Sequence, residues 1–201
     1  MEMYVFRDEP IYMEEWKALL IASLAIAFGF VGFNVVGVIA NPVSYAGGVL
    51  AGAIIGVVLH ELAHAWMGRR EGCVAHFVLS RIGLSLTLFF GLLRTLNIPF
   101  VILAPGYVSL YCRTFARDDY VAAAGPMTNI VLAVIGRAAE RLAASTSYGA
   151  YVFAAGFTDV NAWIALFNLL PFIPLDGSKI MRRNLIAWLA MLVLAIVLAY
   201  L

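Results

Sequence analysis

The sequence predicts an all-α polytopic membrane protein of about five to six transmembrane helices, with a re-entrant or small β insertion between the second and third. Three observations carry this. Of 201 residues, 64% are hydrophobic and only 12% are charged, roughly half the charged share of a soluble domain. Mean hydropathy is +0.95. Apolar stretches long enough to cross about 30 Å of hydrocarbon recur along the chain, and no polar stretch between them is long enough to fold alone. The expected organisation is one membrane-embedded domain over 1–201, with its core at about 47–180.

The first sixteen residues mix Arg7, Asp8, Glu9, Glu14 and Glu15 and lack the basic start and apolar core of a cleaved signal peptide. The first span, Lys17–Ile39, is therefore expected to remain as an anchor. The second is Gly47–Gly68. Ile82–Ala104 is also apolar, but Arg94, Asn97 and Pro99 interrupt it, so it reads as the insertion. Tyr120–Leu142, Tyr151–Phe172 and Leu185–Leu201 supply the remaining spans. If the insertion does not cross once, Arg7, Lys17, Arg69, Arg70, Arg81, Arg113, Arg117, Lys179, Arg182 and Arg183 share one side, and Arg137 and Arg141 the other. The positive-inside rule then places the N-terminus and the loops near 70, 115 and 180 in the cytoplasm.

A formal net charge of +1 lacks the basic excess of a nucleic-acid binder. Two cysteines, Cys73 and Cys112, do not make a disulfide framework and read as ordinary side chains near the cytoplasmic face. Arg137 and Asp159 fall at similar depth on antiparallel spans and are expected to pair, because lone charges at membrane depth are costly.

His60-Glu61-Leu62-Ala63-His64 lies inside the second apolar run. Histidines four apart share a helix face, and with a glutamate between them they form the zinc-binding pattern of metalloproteases. One catalytic zinc ion takes three protein ligands and keeps a fourth position for water. His60 and His64 supply two of the three. Glu61 stands beside them as the base for that water. Arg70 occupies the position where an extended motif would place a third histidine. Among later acidic residues Asp176 sits at the matching depth, at the cytoplasmic end of the fourth span, and is the expected third ligand. The site closes only if the insertion returns to its own side.

HELAH on one span, with Asn168-Leu169-Leu170-Pro171-Phe172-Ile173-Pro174-Leu175-Asp176-Gly177 after a later one, resembles the site-2 protease family of intramembrane zinc metalloproteases. The resemblance runs from about Gly52 to Lys179. Gly125-Pro126-Met127-Thr128-Asn129 is similar to the family's Gly-Pro-x-x-Asn element, and Asn161 also fits. It implies that His60, His64 and Asp176 bind zinc and that Glu61 activates water. It further implies that Asn129 helps hold substrate or stabilise the oxyanion, and that Asn168, in the Asn-x-x-Pro element, contributes to substrate binding. Substrates would be transmembrane or signal-peptide-like helices, cut within or near the bilayer. Strands in the insertion could pair with an unwound substrate. No PDZ or CBS domain is visible, and an aspartate at 159 departs from the apolar residue expected there.

Plainer readings exist for several of these residues. Leu-Asp-Gly alone is a common turn. Asn129 could bond to nearby backbone, and Asn161 and Asn168 could simply tie helices together. A rival function is a zinc transporter with an intramembrane His/Glu/Asp site. Against it stand the absence of a histidine-rich loop and a cluster lying near one face rather than along a path. A prenyl-protein endopeptidase would supply a late glutamate, and Glu140 falls on the wrong side.

Overall fold

Each long apolar run becomes a helix, and short signals at its ends set the boundaries. The structure, a computed structural model, describes residues 10–31, 39, 41–95, 101–112 and 117–200. After a short strand, β1 (Pro10–Ile11), comes helix α1 (Glu15–Val31). Helix α2 (Pro42–Arg70) starts with Pro42, where a missing N–H costs nothing, and Asn41 accepts a hydrogen bond from the Ser44 N–H at 3.4 Å. It ends on Arg69 and Arg70, which suit the negative end of its dipole. Its 29 residues extend for about 43 Å, so the arginine end passes beyond an apolar layer of about 30 Å.

Strand β2 (Cys73–Ser80), helix α3 (Arg81–Thr95) and strand β3 (Gly106–Cys112) form the insertion. Helices α4 (Asp118–Ala143) and α5 (Tyr148–Asn168) follow. Asp118 and Asp119 complement the positive end of α4, and Ser147 caps α5 by accepting from the Ala150 N–H at 3.3 Å. A proline-containing turn leads to the short helix α6 (Asp176–Arg183), and α7 (Leu185–Tyr200) closes the described chain.

Among the described residues α2, α4 and α5 are long and apolar enough to cross a membrane. The other two expected spans correspond to α1 and α7, of 17 and 16 residues. The interrupted stretch is a mixed insertion: it begins as helix α3 and leads into β3, while Asn97 and Pro99 lie outside the described residues. The sheet order is β1-β2-β3, all antiparallel, with Cys73 opposite Cys112 and Leu79 opposite Gly106. The insertion therefore leaves and rejoins the helical core at one end. At that same end Glu71 accepts from the Arg117 N–H at 3.2 Å, and Arg183 pairs with Asp118 at 3.1 Å.

Two expectations are corrected here. Cys73 and Cys112 are joined by a disulfide, because the strand register sets them directly opposite one another. Arg137 does not bond Asp159. It pairs with Glu140, one turn along its own helix, at 2.8 Å and donates to the Leu198 carbonyl at 2.8 Å. Asp159 instead accepts from the Tyr45 hydroxyl at 3.4 Å. A partner three residues on shares the helix face, so it outcompetes one across an interface.

The disulfide makes a direct prediction. Protein labelled with a maleimide polymer in denaturant takes up no label before reduction and two labels after it; two labels without reductant would rule the bond out. Since cytosolic disulfides persist chiefly in hyperthermophiles, labelling whole cells also tests which compartment this end faces.

The interface of α2 with α5 governs the site. Gly48, Gly52 and Gly56 repeat every four residues along α2, facing Phe153, Phe157 and Asn161 of α5. A methyl at Gly48 would overlap the Phe153 carbonyl, and one at Gly52 would lie 3.0 Å from the Phe157 carbonyl. Small residues let backbones approach where lipid offers no hydrophobic drive. On either side lie two apolar clusters. One joins α1, α2 and β2 through Phe30, Val57 and Leu79; the other joins α4, α6 and α7 through Ile130, Ile180 and Trp188. Residues of α5 belong to both.

Candidate active site

Two turns before its end, α2 presents His60 and His64 to the interior, both buried. Their Nε2 atoms lie 3.0 Å apart. Asp176, the first residue of α6, brings Oδ2 to 3.1 Å from His64 Nε2 and 3.6 Å from His60 Nε2. The packing of its turn holds Asp176 there. Gly177 sits so close to the Leu169 carbonyl that any side chain would overlap it. Trp188 of α7 donates to that carbonyl at 2.8 Å, and the Ser178 hydroxyl donates to Leu175 O at 2.7 Å.

The far side of each imidazole is also fixed. His60 Nδ1 meets Asn129 Oδ1 at 2.5 Å, and His64 Nδ1 meets the Val121 carbonyl at 2.7 Å. Both acceptors favour a proton on Nδ1, which frees Nε2 to bind a metal, the usual arrangement behind metal-ligating histidines. Pro126 in the same helix lacks an N–H, which removes the helical bond to the carbonyl of Ala122, the residue after Val121.

Three lines of geometry fit a zinc ion. A tetrahedral ion with bonds of 2.0–2.1 Å sets its ligand atoms about 3.3 Å apart, and the three separations here bracket that value. The ligand set is two imidazoles and one carboxylate, and among the described residues these three form the one such cluster of histidine, cysteine or acidic groups. The space between them is kept open: a Cβ at Gly125 would fall 2.5 Å from His60 Nε2 and nearer still to His64 Nε2. Burial alone would push the Asp176 carboxyl up. The facing His64 and His60 outweigh it and hold the group well below the usual carboxylate range.

Glu61 and Asn168 line the same cavity of about 1990 Å³, which also reaches β2, α3, β3 and α7. Asn168 donates to the Ile164 carbonyl at 3.0 Å. Asn129 lies in the interface of α2, α4 and α5. It is fully buried, and its amide group donates to Gly56 O at 3.2 Å and Asn161 Oδ1 at 2.9 Å. Asn161 in turn donates to Phe157 O at 2.9 Å. With both amide hydrogens used in the helix interface, Asn129 backs His60 rather than facing the cavity. His76 is an exposed residue of β2, outside the cluster.

Sequence reasoning named the three residues that meet here; it gave Gly125 a place in a family element but no role, and it missed Val121, whose signal is a main-chain carbonyl. Asn129→Ala is expected to weaken zinc affinity about 10–100-fold, the usual loss when such a support is removed, as read by chelator competition. Unchanged affinity with slowed cleavage would return Asn129 to an oxyanion role.

No family model matches the chain, and no solved structure matches it significantly. Three curated relatives carry the name "putative zinc metalloprotease". The protein of Methanocaldococcus jannaschii is 29% identical over 174 residues, 85% of this chain and 84% of its own. Rip2 of Mycobacterium tuberculosis is 30% identical over 158 residues, 72% of this chain and 61% of its own. Rip2 of Mycolicibacterium smegmatis is 29% identical over 196 residues, 89% of this chain and 71% of its own. These matches take in most of the chain on which HELAH and Pro-Leu-Asp-Gly meet, and they support its resemblance to the site-2 protease family.

Proposed function

We propose that the protein is an intramembrane zinc endopeptidase that hydrolyses peptide bonds within or near transmembrane segments of other membrane proteins. The observation that carries this is the meeting of His60, His64 and Asp176 Nε2 and Oδ2 atoms at ligand spacing, with Glu61 on the wall of the same cavity. Zinc held by these residues supplies Lewis acidity, polarising a peptide carbonyl and acidifying a water. The Glu61 carboxylate accepts the proton of the attacking water and passes it to the leaving amide nitrogen. His60 and His64 keep their orientation through Asn129 and Val121, so no reorganisation is needed during the reaction.

Substrate chemistry follows from the walls. Ala22, Ile26, Phe77, Val108 and Ile196 give the cavity an apolar lining, which supports an apolar segment as substrate. A helical segment shields its carbonyls in its own hydrogen bonds, so it must unwind before attack. Asn168 lines the same cavity, which supports a role for it in meeting that backbone. The basic end that carries Arg69, Arg70 and Arg183 faces the cytoplasm in this reading.

The test is zinc analysis of detergent-purified protein together with cleavage of a model transmembrane substrate. About one zinc per chain and chelator-sensitive cleavage are expected. If nothing is cleaved while proteoliposomes accumulate zinc, the protein is a transporter.

A further inference from the structure

Asp176 divides its two oxygens between two partners. Oδ2 faces His64 and His60, whereas Oδ1 lies 3.4 Å from Nζ of Lys179, three residues further along α6. The rotation of α6 imposes this division. Ile180 is buried against the α4 and α7 cluster, and Gly177 is pressed against the Leu169 carbonyl. With those two faces fixed, Asp176 and Lys179 share the face on the cavity, and Lys179 belongs to its lining. The lysine keeps 42% of its side chain exposed, so its head reaches water while its stem lies along the wall.

A carboxylate can bind a metal through one oxygen or both, as it does at hard-cation sites. A catalytic zinc site must leave one position free, and a second oxygen from Asp176 would compete for it. A cation resting on Oδ1 opposes this in two ways: it attracts that oxygen away from the imidazoles, and it lowers its electron density. We infer that Lys179 is a positioning residue for the third ligand, holding Asp176 to one oxygen so that the fourth position stays open to water. This rests on the metal-site reading above and extends it to a residue outside both motifs. Neither HExxH nor Leu-Asp-Gly includes position 179.

Cobalt(II), added to chelator-stripped full-length protein in detergent, reports coordination number through its visible bands, which are intense for four ligands and weaker for five or six. The wild type is expected to give the intense bands. Lys179→Met is expected to bind cobalt about 10-fold more weakly and to lose much of the band intensity as Oδ1 joins the ion. Lys179→Arg, which restores a cation, is expected to recover the wild-type spectrum. If Lys179→Met is poorly folded, Lys179→Gln serves in its place, since its amide carries no charge and the same loss of intensity is expected. A neutral variant with the wild-type spectrum and affinity overturns the inference. A wild type that binds no cobalt instead overturns the metal site, so the two failures are distinct.

Discussion

Glu61→Gln is expected to retain about one zinc per chain and to lose about 10²–10⁴-fold in cleavage rate, the range usual for removing a general base. The reason lies in what the substitution leaves alone. The three ligand atoms are held by groups other than Glu61: Asn129 behind His60, Val121 behind His64 and Lys179 beside Asp176. Glutamine matches glutamate in shape, so the cavity wall is preserved and only the proton acceptor is lost. Single-turnover cleavage of a transmembrane substrate, alongside zinc analysis of the same preparation, separates binding from chemistry. A variant that cleaves within threefold of the wild type would remove Glu61 from the mechanism.

Gly125→Ala is expected to abolish zinc binding, with affinity reduced by more than about 100-fold, beyond the loss typical of a disturbed support. Its methyl would enter the space between the two Nε2 atoms. Neither imidazole can swing aside cheaply, because each is hydrogen-bonded at Nδ1 to α4, the helix that carries the methyl. Gly136→Ala is the matched control on the same helix. Its methyl would overlap the Thr158 hydroxyl on α5, at a cost of about 1–3 kcal/mol for overpacking, far along α4 from the metal ligands. Zinc analysis and thermal unfolding of both variants distinguish the effects. Normal zinc content in Gly125→Ala would mean that the ligands do not converge as described.

The convergence of His60, His64 and Asp176 was legible in the sequence because helical periodicity places His60 and His64 on one face, and because depth left Asp176 as the acidic residue able to meet them. The helices were legible for a similar reason: the apolar length required by a bilayer is written residue by residue. What escaped depends on the third dimension. The Cys73–Cys112 bond needs the register of two strands separated by a helix. The position of Asn129 depends on which way α4 is turned, and a Gly-Pro-x-x-Asn spacing does not encode that. Arg137 had two acidic candidates at similar depth, and the nearer one on its own helix prevailed. The glycine stripe Gly48, Gly52 and Gly56 was visible as letters, but its meaning comes from α5, whose Phe153 and Phe157 carbonyls lie against it.

The disulfide has a topological consequence for a peptidase whose own strands line its cavity. Cys73 and Cys112, 39 residues apart, close the whole insertion into a covalent ring attached to the core at a single point. A cut at any one peptide bond within that ring, including one made by the enzyme itself, would release no fragment. The two pieces would stay tethered, and β2 would remain beside β3. Such a nick would be invisible on a non-reducing gel and would appear as two bands only after reduction. The insertion is thus a part of the cavity wall that can be severed and still kept by a covalent bond.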